Sequence, residues 1–156
     1  MMVTLESEHR IRLAGVEDAP DAARLLHDFN TEFDDPTPGV ADLTVRMRRL
    51  LAEGQATVLL GGERPDAIAV LRFRPSLWAD STDAYLEELY VAPQHRGHGL
   101  GRAVLDAALA VARDRGAGRI ELGTDEDDTV ARALYESSGF TNLDDGEQML
   151  YYEREL

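Results

Sequence analysis

The chain has no cysteine and no lysine: all sixteen cationic side chains are arginines. Without cysteine there is no disulfide, no zinc–thiolate centre and no thiol nucleophile. Without lysine the nucleotide-binding loop that ends Gly-Lys-Ser/Thr is excluded. No stretch approaches the ~18 consecutive apolar residues needed to cross a bilayer. The first residues, Met1 to Glu8, lack the basic start and apolar core of a secretion signal. These absences lead us to expect a soluble cytoplasmic protein with no membrane partner. Basic charge is also scarce, with a formal net charge of −14. That balance argues against a nucleic-acid partner and favours a cationic or neutral one.

At 156 residues the length suits one domain, spanning 1–156. His9 to Leu13 reads as a first strand. Asp18 to Phe33, with Pro20 near its start and Ala22, Leu25, Leu26 and Phe29 at helical spacing, reads as a helix. After the loop Asp34–Gly39, Val40 to Glu53 forms a second amphipathic helix. Ala56–Leu60 and Ala67–Phe73 form a hairpin, and Asp83–Val91 alternates as a further strand. Leu100 to Arg115 is a helix stopped by Gly116, Arg119 to Gly123 a strand, and Asp128 to Ser138 a helix stopped by Gly139. Phe140–Leu143 and Gln148–Glu153 complete a last strand pair. Hairpins flanking a β-α-β crossover predict a mixed α/β fold.

Between the strand ending at Val91 and the helix starting at Leu100 lies Arg96-Gly97-His98-Gly99-Leu100-Gly101. Alternate glycines turn the backbone tightly and leave its N–H groups uncovered. Ahead of a helix N-terminus, such groups suit a pyrophosphate. A plain strand-to-helix turn would use the same residues. A dinucleotide-binding fingerprint would follow the first strand, with an acidic residue ~20 positions on, and this loop does neither. The histidines His9, His27, His95 and His98 have no metal-ligand spacing, so no metal is expected.

The segment Tyr85–Val91 followed by Ala92-Pro93-Gln94-His95 and the glycine loop resembles the acetyl-CoA signature of the GNAT superfamily of N-acetyltransferases. That signature is Arg or Gln, two residues, Gly, one residue, then Gly or Ala, met here by Arg96, Gly99 and Gly101. Ala131-Arg132-Ala133-Leu134-Tyr135-Glu136-Ser137-Ser138-Gly139-Phe140 is similar to the family's later helix. The resemblance covers nearly the whole chain and implies a mostly antiparallel mixed sheet of about seven strands flanked by four helices.

The resemblance also implies roles. Acetyl-CoA would be the co-substrate, its pantetheine arm lying along Leu89, Tyr90 and Val91. Its pyrophosphate would sit on Arg96, Gly97, His98, Gly99, Leu100, Gly101 and Arg102, with Arg96 and Arg102 adding charge. Asp128 replaces the asparagine the family often has there, and with Ala131 lies on the cofactor side. An amine near pKa 10.4 needs a base. Strict alternation puts Glu87 on the face of Tyr85, Leu89 and Val91, and Glu88 on the other. Glu87 is the favoured base, since a family carboxylate four residues before the valine lines the acceptor site, and Glu88 is the reserve. Tyr135 matches the family tyrosine that protonates the departing thiolate. Direct attack in a ternary complex is expected.

Family members build the acceptor site from the first two helices, their loop and the middle strands. Here those elements offer Phe29, Asn30, Glu32, Phe33, Asp34 and Asp35, with Arg72, Arg74 and Trp78 nearby. Aromatic rings and carboxylates suit a small cationic amine, whereas Arg72 suits an amino-acid-like carboxylate. The competing functions are a non-catalytic acyl-CoA-binding or regulatory module and a protein N-terminal or lysine acetyltransferase. A homodimer is a further expectation from the family.

Overall fold

The computed structural model describes residues 9–156, so the reading of Met1 to Glu8 lies outside the described residues. It resolves into two compact units, ending and beginning at Glu121 and Leu122.

In the first unit a five-stranded sheet has the order β1-β2-β3-β4-β5. Its strands are β1 (Ile11–Leu13), β2 (Thr57–Gly61), β3 (Ala67–Pro75), β4 (Thr82–Val91) and β5 (Ala117–Glu121). The first three pairings are antiparallel, and β4 with β5 is parallel. Three helices accompany the sheet: α1 (Ala19–Glu32), α2 (Val40–Ala52) and α3 (Leu100–Asp114). One face carries Val58, Leu60, Ile68, Val70 and Tyr90, packed with Leu25 of α1 and Met47 of α2. Burying each large apolar side chain contributes roughly 1.5–3 kcal/mol. The opposite face receives α3. Gly61 permits this approach, because a Cβ there would stand 2.8 Å from Val104 and 3.1 Å from Leu100. At the other end of α3 the Arg115 guanidinium donates to Thr57 Oγ1 at 2.6 Å and lies over the Phe73 ring. The helix is thus seated at both ends, which sets the position of its N-terminus. At the corner between β1 and α1, Asp18 accepts from both Nη atoms of Arg12 and from the Gly15 N–H.

The second unit holds α4 (Thr129–Ser137) and a separate two-stranded sheet, β6 (Leu143–Asp144) with β7 (Glu147–Gln148). The expected sheet of about seven strands is therefore a sheet of five and a sheet of two. The final pair is also much shorter than 140–143 and 148–153. It closes on the turn Asp145–Gly146, and from Met149 onward no residue lies in a strand. Alternation alone does not make a strand: Leu150, Tyr151 and Tyr152 are exposed, with no ladder to hold them. The strand expected at 119–123 lies at Ala117–Glu121, where pairing with Thr82–Tyr85 sets it. No helix among the described residues is long and apolar enough to cross a membrane.

Candidate active site

The parallel ladder between β4 and β5 ends at Tyr85↔Glu121, while β4 continues to Val91 paired with β3. From Leu86 to Val91, β4 therefore has an edge that β5 does not cover. Along such an edge alternate residues turn their N–H and C=O groups outward, which an extended ligand can join as an added strand.

The glycine loop follows directly. Gly97 and Gly99 both have positive φ (81° and 82°), and Gly99 is the N-cap of α3. An L side chain is strained in that region, which is why glycine stands at both positions. The first N–H groups of α3 have no intrahelical acceptor. Gly99 brings no capping side chain, and the first turn holds no acidic residue. By contrast the first turns of α1 and α2 carry Asp21 and Asp42. A Cβ added at Gly97 would meet nothing within 4 Å. The loop thus keeps donors and positive dipole available for an anion. The His9 Nε2 atom lies 2.7 Å from the His98 carbonyl and braces the loop from outside. Arg102 and His98 are exposed.

The two glutamates do not alternate as expected. The β3–β4 register shifts between Val70 and Leu71: Val70 opposes Glu88, but Leu71 opposes Leu86. Glu87 is the extra residue of a β-bulge. Directly opposed residues share a face, so Glu88 lies with Val70 and Tyr90 with Ile68, while Leu89 and Val91 lie on the α3 face with Ala69 and Ala67. Glu87 bonds Arg72 Nη1 at 3.2 Å, and Arg72 is two residues on from Val70, on its face. Both carboxylates therefore project from the α1–α2 face. This corrects the opposite-face reading, and Glu87 shares its face with Tyr85 but not with Leu89 or Val91.

Their environments differ. Glu87 is exposed and ion-paired with Arg72. Glu88 is half-buried, and that burial, helped by the negative charges of Glu87 and Asp35, raises its pKa to about 7. Further along the face, Arg74 contacts both Asp83 and Glu121. The part of the sheet beyond the apolar core is a floor of paired charges.

At the outgoing end of β4, Arg96 is oriented toward protein groups. Its Nη1 and Nη2 atoms each donate to Glu32 at 2.8 Å, and Nε donates to the Val91 carbonyl at 2.9 Å. The Tyr90 hydroxyl donates to the same carboxylate at 3.0 Å. The guanidinium holds the Glu32 carboxyl below its ordinary pKa. Burial and the neighbouring carboxylate push the Tyr90 phenol up to about 12.

Of the expected acceptor residues, Phe29 stacks on Tyr90 at 4.9 Å and meets Phe33 edge-on at 5.5 Å. Asp34 begins the α1–α2 loop at a positive φ of 56°. Arg72 stands on the charged floor. Trp78 is in solvent, 88% exposed, at the tip of the β3–β4 turn. In the second unit the Asp128 carboxylate caps α4 by accepting from the Ala131 N–H at 3.0 Å. That cap ties both of these expected cofactor positions into the helix itself. Tyr135 lies in α4, edge-on to Phe140 at 5.8 Å.

The sequence places Glu32 on the acceptor side, but its pairing with Arg96 and with the phenol of Tyr90 escaped that reading. Glu32 is 64 positions from Arg96, and no local pattern links them. The bulge has no composition signal either, although two adjacent glutamates within an alternating strand are a place to look for one. Among the described residues no group of three or more His, Cys, Asp or Glu is arranged to hold a metal ion.

The model of the Acetyltransferase (GNAT) family matches residues 21–140. Mycothiol acetyltransferase of Beutenbergia cavernae is 49% identical over 69 residues, covering 42% of this chain and 23% of that protein. Thialysine N-epsilon-acetyltransferase of Caenorhabditis elegans is 27% identical over 122 residues, 76% of this chain and 74% of that one. A crystal structure from Arthrobacter sp. FB24, an acetyltransferase by assignment, superposes with a TM-score of 0.88 at 47% identity, covering 100% of this chain and 99% of that one.

Proposed function

The chain belongs to the acetyltransferase (GNAT) family, and from that premise we propose that it transfers an acetyl group from acetyl-CoA to the primary amine of a small cationic or amino-acid-like acceptor. The observation that carries the reading is the end of the β4–β5 ladder at Tyr85↔Glu121, directly ahead of the glycine loop. The open edge of Leu86–Val91 would hold the pantetheine arm. The N–H groups of the Gly97–Arg102 stretch would hold the pyrophosphate. Acetyl-CoA supplies an activated thioester carbonyl and a thiolate leaving group. The family match, over residues 21–140, crosses both compact units, which supports reading them as parts of one functional domain.

We assign the base to Glu88, the former reserve, rather than Glu87. At a pKa of about 7 it is a far better proton acceptor than an ordinary glutamate, yet still substantially ionised near neutrality. It would take the proton that an ammonium acceptor must lose, directly or through water. Glu87, ion-paired with Arg72, would help shape the acceptor floor. Tyr135 would return a proton to the thiolate, an assignment that rests on its motif position. The aromatic wall of Phe29 and Phe33, with Asp34 and Asp35 in the loop, suits a cation. Arg72 and Arg74 would suit a carboxylate on an amino-acid-like acceptor.

The test is calorimetric titration with acetyl-CoA, followed by thiol release across polyamines, aminoglycosides, amino acids and short peptides. Binding with acceptor-dependent release supports the enzyme and reports its acceptor class. Binding without release from any amine would leave an acyl-CoA-binding module, and no binding would reduce the glycine loop to a turn.

A further inference from the structure

We infer that Glu32 and Arg96 form a positioning pair that joins the acceptor side of the site to the outgoing end of β4, and that Arg96 is not a phosphate contact. The inference rests on the acetyl-transfer reading above. A guanidinium has five donors in a planar fork. Here one edge is bidentate on Glu32, and Nε is committed to the Val91 carbonyl. The guanidinium carbon also lies 5.6 Å from the centre of the Tyr90 ring. Glu32 is in turn doubly held, by Arg96 and by the Tyr90 hydroxyl. To grip a pyrophosphate bidentately through its Nη1–Nη2 edge, Arg96 would have to leave that carboxylate, which would keep the Tyr90 hydroxyl but lose its counter-charge; the two remaining N–H groups, one on each Nη, diverge and offer single contacts only. Like charges brought side by side repel. The depressed pKa of Glu32 accords with a pair that stays ionised.

The positions of the partners explain what such a pair does. Glu32 is the last residue of α1, one residue before Phe33 and the loop expected to wall the acceptor site. Val91 is the last residue of β4, the strand expected to carry the pantetheine arm. The pair therefore fixes the acceptor wall relative to the cofactor strand. A misplacement of about 1 Å between reactants can cost on the order of 100-fold in rate. The pair thus acts on alignment, and pyrophosphate binding is left to the backbone N–H groups after Arg96.

The test compares Glu32→Gln, Arg96→Gln and the double variant in the full chain. Two readouts are needed: calorimetric affinity for adenosine 3′-phosphate 5′-diphosphate, the nucleotide end of CoA, and KM and kcat for the acceptor amine. Each single variant is expected to raise the acceptor KM about tenfold and lower kcat, with nucleotide affinity within about twofold of the parent. The double variant should match the singles, since groups acting as one unit are non-additive. Arg96→Lys, which keeps the charge but loses the fork, should resemble Arg96→Gln. If Arg96→Gln weakens the nucleotide tenfold with acceptor KM unchanged, or if Arg96→Lys restores both, Arg96 is a phosphate contact and the inference is overturned. Additive losses in the double variant would also overturn it. A parent protein that binds neither acetyl-CoA nor the nucleotide would sink the acetyl-transfer reading itself, and this inference with it.

Discussion

Replacing Glu88 by glutamine should abolish most turnover and stabilise the protein at alkaline pH. The carboxyl titrates at about 7 rather than 4.5 because burial, Glu87 and Asp35 all disfavour its charged form. At about 1.4 kcal/mol per unit, that shift corresponds to roughly 3 kcal/mol. A native pKa above the unfolded one means the folded chain binds more protons between those values. Stability therefore falls as pH rises from about 4.5 to about 7, by up to roughly 3 kcal/mol from this group alone. Glutamine carries no charge to desolvate, so Glu88→Gln removes that loss. Its urea midpoint should gain on the parent at about pH 8 and match it near about pH 4.

Activity should move the other way. The parent's kcat/KM should rise with pH through an ionisation near 7, where Glu88 becomes competent to accept a proton. Glu88→Gln should lose that limb and fall by about 10²–10⁴-fold, the usual range for a general base. Glu87→Gln removes one of the charges that raise Glu88, so its limb should shift to lower pH while turnover largely survives. Initial rates of thiol release from about pH 5 to about pH 9 measure all three profiles. A Glu88→Gln enzyme that retains the parental limb would refute the assignment, and a loss of turnover confined to Glu87→Gln would move the base to that residue.

Tyr135→Phe keeps the ring contact with Phe140 but removes the hydroxyl. It should cut kcat about 10–100-fold with little change in Tm, because an acid contributes to the chemical step. A Gly99→Ala variant forces an L side chain to φ 82°, costing about 1–2 kcal/mol, and should weaken acetyl-CoA by calorimetry. Asp18 is nearly buried and accepts from Arg12 and Gly15, the Arg12 bond being the main reason its pKa is lowered. Its contribution is present above the unfolded pKa of 3.8 and is lost as pH falls through the lower native value. Asp18→Asn should therefore cost roughly 1–3 kcal/mol at neutral pH and less in acid, as read from urea unfolding at both.

The helices were legible because each carries its own signals. Apolar spacing, Pro20 in the first turn and glycines at the ends place α1, α2 and α3 within a residue or two. Strand limits depend on a partner that is distant in sequence. β5 starts at Ala117 because β4 is available from Thr82, and nothing within 117–123 announces it. The alternating tail after Gln148 has the composition of a strand but no ladder among the described residues. Asp128 illustrates a signal that pointed two ways. Its motif position suggested a cofactor contact, yet an aspartate ahead of a helix is also a strong N-cap, and the cap is the bond observed.

The choice between the two adjacent glutamates turns on one residue of backbone register. Glycine spacing located the loop, since positive φ leaves a mark in composition. The choice between Glu87 and Glu88 relied on strict alternation, and a single extra residue breaks that rule for everything on one side of it. With the bulge at Glu87, the register that keeps Tyr90 over Ile68 also brings Glu88 under the apolar α1–α2 face, where burial raises its pKa. With Tyr90 over Ile68 and Glu88 over Val70, unbroken alternation would put Glu87 on the α3 side with Leu89. The bulge instead turns Glu87 to Arg72, on the face where Glu88 is half-buried, and the Glu87 charge there helps to raise the Glu88 pKa. Two chemically identical neighbours acquire different burial and different partners from a change in backbone register that neither side chain encodes.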